Sequence, residues 1–151
     1  MLRTRLTDAL KTAMKSKDAK STATLRLILA ALKDRDIAAR SKGNKATISD
    51  DEVLGMLQSM IKQRRESIAL YEKGGRMELA QQEAEEIAVI EEFLPEQMGA
   101  DEMASVIDAI ITESEAASLK DMGRVMAALK ENHAGSMDFS KASALVKERL
   151  G

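Results

Sequence analysis

With 151 residues, 44% of them hydrophobic, the chain can bury one core or two small ones, but two Phe, one Tyr and no Trp leave that interior to Leu, Ile, Val, Ala and ten Met, a composition that favours helices over sheets. The lack of Cys excludes disulfides, thiolate metal sites and a cysteine nucleophile together, and it fits a reducing, cytoplasmic setting. Net charge is only −2, yet residues 1–45 carry an excess of positive charge and residues 46–97 an excess of negative charge, so either neighbouring helices attract one another or one face meets an anionic partner.

Helical periodicity dominates the chain. The first element, LRTRLTDALKTAMKSK, places Leu2, Leu6, Leu10, Ala13 and Met14 on one side. Asp8 interrupts its basic character and argues against a transit peptide. After a loop near Lys17-Asp18, a helix over about 20–40 carries Leu25, Ile28, Leu29 and Leu32. Leu27 and Ile37 fall on other sides, so this helix is expected to be buried on several faces at the centre of a bundle. SKGNKAT, 41–47, reads as a polar loop. The longest apolar run, LILAAL, is too short for a membrane span, nothing after Met1 forms a secretory segment, and no membrane association is expected.

The third helix has the clearest start. Ser49 and Glu52 fit a capping box, with Ile48 and Val53 placed as a hydrophobic staple. Its stripe runs Val53, Leu57, Met60, Ile61, Ile68, Tyr71, and Gly74-Gly75 ends it. A fourth helix over about 77–92 presents Leu79, Ile87, Ile90 and Leu94. Pro95, the only proline, marks a boundary between an N-terminal part, 1–96, and a C-terminal part, 97–151. Three shorter helices follow, over about 101–114, from Ser118 (with Asp121 as its box partner) to about His133, and over about 138–150.

Arg64 is the first candidate for chemistry. At about 100° per residue it lies between Ile61 and Ile68, inside the apolar stripe. If Gly74-Gly75 turns an antiparallel hairpin, Arg64 is level with Glu85 or Glu86, and a half-buried ion pair would fix the register of the two helices. The alternative is an arginine gripping a phosphate in a cleft. Lys62, Arg65, Lys73 and Arg76 are expected to be more exposed.

Arg26, Lys33 and Arg40 recur every seven residues and so line one helix edge about 10 Å apart, with Lys42 and Lys45 continuing the row. They either form a solvated face that pairs with the acidic fourth helix or follow a nucleic-acid backbone. So few aromatics give no stacking platform, so an RNA partner would be read by shape and phosphate; DNA is not expected. No nucleophile with an adjacent base, P-loop or zinc ligand set is recognisable, and the single His133 sits where it would favour a helix C-terminus. No catalytic residue, metal or cofactor is therefore expected. A protein adaptor without RNA is the other reading, using Met98, Met103, Met122, Met126 and Met137 as an exposed contact surface.

The segments RLILAALKDRDIAAR, MIKQRRESIALYEKGGRMELAQQEAEEIAVIEEFLPEQM and SLKDMGRVMAALKENHAG together resemble the GatB/YqeY family, in its free-standing YqeY-like form, over essentially the whole chain. The resemblance implies an all-α fold with a four-helix N-terminal part and a three-helix C-terminal part. It also implies kinship with the C-terminal tail of the B subunit of the tRNA-dependent amidotransferase, which helps hold tRNA while the catalytic machinery lies elsewhere. The family label, carbon–nitrogen ligase with glutamine as amido-N-donor, belongs to that larger enzyme. The tail motif maps onto Asp121, Met122, Gly123, Arg124, Val125 and Met126, then Gly135 and the helix from Asp138. By resemblance Arg124 is the tail's candidate for RNA contact, and Gly123 is expected to admit close helix–helix approach. MDFSKAS, 137–143, departs from the more basic stretch that relatives carry there, which weakens the tail's positive patch.

Overall fold

A computed structural model describes residues 1–43 and 47–151, and all regular structure among them is helical. The helices are α1 (Leu2–Lys15), α2 (Ala19–Ser41), α3 (Asp50–Lys73), α4 (Met77–Glu91), α5 (Ala100–Glu113), α6 (Met122–His133) and α7 (Phe139–Leu150), with a 3-10 turn at Leu119–Asp121 before α6. The all-α class expected from composition is the class observed. The chain forms two compact units, Met1–Leu94 with α1 to α4 and Pro95–Gly151 with α5 to α7.

In the first unit α3 and α4 form a hairpin, and α2 packs against both α1 and α4. Leu6, Ile28, Met56, Leu57 and Ile90 are wholly enclosed in its core. Asp18 caps α2 by accepting the Ser21 N–H at 3.1 Å. At the start of α3 the Ser49 hydroxyl accepts the Glu52 N–H at 3.2 Å, while the Glu52 carboxylate accepts the Ser49 N–H at 3.4 Å. Ile48 and Val53 are buried on either side of that box, as a staple requires.

The far end of α3 is closed by Gly75 rather than Gly74. Gly75 has φ +73°, Gly74 φ −84°. The Arg76 N–H reaches the Tyr71 carbonyl at 2.8 Å and the Gly75 N–H the Glu72 carbonyl at 3.2 Å, the two bonds of a Schellman motif.

Three expectations are corrected here. Leu27 and Ile37 are 49% and 50% exposed, so α2 buries one side and shows the other to solvent. Gly123 stands in the first turn of α6, where an added Cβ would meet nothing within 4 Å, so no helix approaches it closely. The methionines of the second unit are core rather than contact surface: Met103 and Met137 are buried, and Met98, Met122 and Met126 pack against the same cluster as Ile107, Val125 and Leu129. A stretch with one aromatic residue, Phe139, fills irregular gaps with the flexible thioether. The expected Ser118–Asp121 box is present, and it opens the 3-10 turn that leads into α6, with the Asp121 carboxylate accepting the Ala117 and Ser118 N–H groups at 2.9 and 3.3 Å. Lys45 of the polar loop lies outside the described residues.

The two glycines of the α3–α4 turn should respond differently to substitution. Gly75→Ala is expected to destabilise the protein by about 1 kcal/mol, because alanine pays for the left-handed conformation. Gly74→Ala, in an ordinary conformation with its nearest contact at 3.5 Å, should be close to neutral. Urea unfolding of both variants checks the contrast.

Candidate anion-binding edge and its supporting ion pairs

The inner face of α2 is written by Leu25, Ile28 and Leu32, and four residues beyond Leu32 the same stripe delivers Asp36 into a buried position. Arg3 of α1 meets it with both arms, Nη1 to Oδ2 at 2.9 Å and Nη2 to Oδ1 at 2.7 Å. The Ile48 N–H donates to Oδ1 at 3.0 Å, and Arg3 Nη2 also donates to the Ile48 carbonyl at 3.1 Å. One carboxylate thus joins α1, α2 and the entrance to α3. The Arg3 hydrogen bond first, then the Ile48 N–H, hold its pKa below the ordinary aspartate value against the opposing effect of burial, and the charge of Arg40 acts in the same direction.

Fixing the inner face fixes what points outward. Arg26, Lys33 and Arg40 are all exposed along one edge of α2, and none of them forms an ion pair with another described residue. The cation of α2 that does reach α4 is Lys20, bonded to Glu85 at 2.8 Å on the wall of a cleft of about 430 Å³ between the two helices. The row is therefore not neutralised by α4. Lys42, at the helix end, is also exposed.

On the hairpin, Arg64 Nε donates to Glu86 Oε2 at 3.0 Å, with a Glu83 oxygen at 3.9 Å, and Nη1 donates to the Met60 carbonyl at 3.2 Å. The Arg64 side chain is only 14% exposed. Between the two sequence alternatives for Arg64, the geometry is that of an inter-helix ion pair, with Glu86 rather than Glu85 as partner. Burial, followed by the neighbouring charge of Glu86, raises the Glu83 pKa above the ordinary value. Arg65 is exposed and bonded to Glu91 at 3.3 Å, and Lys62 is exposed.

The model of the YqeY-like protein family matches residues 3–150. The chain belongs to the YqeY-like family. It is also 32% identical over 83 residues to an uncharacterized protein of Schizosaccharomyces pombe, a match covering 55% of this chain and 63% of that protein, less than two thirds of the relative's length.

In the second unit of this YqeY-like chain, Arg124 is exposed and held by Asp121 at 3.1 Å, the carboxylate that also caps the preceding turn. His133 ends α6 and is half-buried. Among the described residues no three His, Cys, Asp or Glu side chains are gathered as for a metal ion, and no helix is long and apolar enough to cross a membrane.

Sequence reasoning missed Asp36 and its partner Arg3. The signal was present, since Asp36 continues the Leu25-Ile28-Leu32 stripe in the way Arg64 continues that of α3. A polar residue on an apolar stripe demands a partner.

Both clusters make predictions for YqeY-like stability. Asp36→Asn should cost about 2 kcal/mol, because the half-buried Arg3 stays in place and loses the charge it bonds. The Asp36 pKa is lowered on folding, so its contribution is complete above the unfolded value of 3.8 and disappears as pH falls through the lower folded value. Chemical denaturation across acidic pH should show wild type and Asp36→Asn converging there. Arg64→Met should cost about 3 kcal/mol at neutral pH by leaving two half-buried carboxylates uncompensated. That deficit should shrink as pH falls and Glu83, whose pKa is raised by burial, takes up its proton. The paired change Arg64→Met with Glu86→Leu should recover most of the loss, as denaturation of the single and double variants would reveal.

Proposed function

We propose that this YqeY-like protein is a non-catalytic, cytoplasmic helical module that binds tRNA, or a protein that handles tRNA, through the cationic edge of α2. The observation that carries the reading is the row Arg26, Lys33 and Arg40, exposed and without ion-pair partners among the described residues while most other arginines of the chain are bonded to carboxylates. Cations left unneutralised at a spacing of about 10 Å suit a polyanion whose charges recur along a backbone. The kinship of the family with the tRNA-holding tail of the amidotransferase supports RNA as that polyanion. With no aromatic side chain on this edge, contacts would go to phosphate and ribose and discriminate little by sequence. Arg124, with Lys62 and Arg65, is a secondary contact that would first exchange its internal carboxylate partner where it has one.

Three phosphate contacts release counterions, so log K for tRNA should fall with log salt with a slope of roughly −2 to −3. Arg26→Glu with Lys33→Glu should lower affinity at least tenfold at low salt and flatten that slope by about two. Fluorescence anisotropy with labelled tRNA measures both. Wild-type binding no stronger than that of an acidic control protein of equal size would refute the reading.

A further inference from the structure

The cationic row of α2 borders a second helix. The short turn at residues 16–18 folds α2 back along α1, and the bond from Arg3 to Asp36 marks the line along which the two helices face each other. At about 100° per residue, Arg40, Lys33 and Arg26 stand roughly 40° to 80° around α2 from Asp36, on the side away from the buried Leu32. Arg40 is near enough for its charge to act on the Asp36 carboxyl. Ile37 and Leu27 stand roughly 100° and 180° from Asp36, beyond the row. The row is therefore the part of the exposed surface of α2 that lies next to α1.

The same count on α1 starts from Arg3. Met14, Lys11 and Thr4 stand roughly 20°, 80° and 100° from it, on the side away from the wholly buried Leu6. The opposite edge of α1 is marked by Arg5, which donates to the Glu92 carbonyl at 3.3 Å and lies over the Phe93 ring just past the end of α4. Lys11 and Thr4 are exposed, and Lys11 forms no ion pair with another described residue. Between Lys11 and the row runs a shallow groove, floored by the half-buried Leu29 and the half-exposed Met14. In the antiparallel register that Arg3 and Asp36 set, Lys11 faces the stretch from Arg26 to Lys33, and Thr4 the stretch from Lys33 to Arg40. Helices in contact lie about 8–10 Å apart, so side chains on both walls can reach a narrow anion laid between them.

We infer that one strand of the bound RNA lies along the groove between α1 and α2, its phosphates held by Lys11 from one wall and by Arg26, Lys33 and Arg40 from the other. This rests on the tRNA reading above and adds to it the path of the ligand and a contact on a second helix. Each phosphate carries two unbridged oxygens, which cations on two sides can meet together. Alternating between the walls also brings successive cations closer along the groove than the roughly 10 Å between neighbours of the α2 row. Thr4 is where the α1 wall lacks a cation. Leu27 and Ile37, beyond the row, take no part.

Anisotropy titrations of the full chain with labelled tRNA test the second wall. A fourth phosphate contact makes the slope of log K against log salt steeper by about one than the row alone gives. Lys11→Ala should therefore lower affinity about fivefold at low salt and flatten the slope by about one. Thr4→Lys, which fills the gap in the α1 wall, should raise affinity about as much and steepen the slope by about one; a gain of binding also requires a folded protein. Thr12→Lys adds the same charge to the same helix, but on the exposed edge roughly 180° from Arg3, and should change affinity less than about twofold. If Lys11→Ala binds as the wild type does while Arg26→Glu with Lys33→Glu fails to bind, the groove path is wrong and the tRNA reading stands. If Thr4→Lys and Thr12→Lys strengthen binding equally, affinity follows net charge and the groove path is again wrong. A wild type that binds no better than the acidic control overturns both.

Discussion

The orientation of α2 depends on one carboxylate. Asp36 accepts three hydrogen bonds from two other elements, two from Arg3 and one from the Ile48 backbone. An aliphatic stripe alone tolerates some rotation, because hydrophobic contact is non-directional. A bidentate arginine does not, since its planar fork fits a carboxylate in few geometries. Turning α2 by one residue would draw Asp36 out of its site and strand Arg3. The outward direction of Arg26, Lys33 and Arg40 is therefore a consequence of an interior bond on the adjoining face of the helix, near enough for the charge of Arg40 to act on Asp36.

Arg64 does for the hairpin what Asp36 does for α2. Its bond to Glu86 selects one register of α3 against α4 among those that the repeating aliphatic residues would permit. Such pairs contribute more to choosing one arrangement than to net stability, because desolvating the charges offsets most of their attraction. A core so poor in aromatics has few large, shaped side chains to do that choosing by packing. The second unit solves the problem differently. Its core of Met, Ile, Val and Leu has no comparable enclosed ion pair among the described residues, and its order comes from caps: Asp121 on the turn before α6 and Asp138 on the Ser140 and Lys141 N–H groups at the start of α7.

Much of this was legible in the sequence, for identifiable reasons. The start of α3 could be read from four consecutive residues because a capping box is local chemistry. The Arg64 partner could be narrowed to two glutamates because a tight glycine turn makes hairpin register countable. The errors share one cause. Exposure of Leu27 and Ile37, burial of the tail methionines and the open space at Gly123 all depend on which helix lies opposite, and periodicity describes a helix without its neighbours. Arg3 with Asp36 escaped for the same reason, being 33 residues apart with no turn to count from. The candidate edge was visible as a seven-residue repeat; its freedom from neutralising partners was not.

An edge that combines unpaired cations with exposed aliphatic side chains is matched by a polyanion only in part. Phosphates satisfy the charges and gain nothing from Leu27 or Ile37, which stay about half exposed. On the reading proposed here, affinity therefore rests on counterion release and is large only at low salt. The acidic helix α4 does not compete for the row within the molecule, because its Glu85 is already engaged by Lys20 in the cleft between α2 and α4. The charges stay available because the fold satisfies its own acids elsewhere.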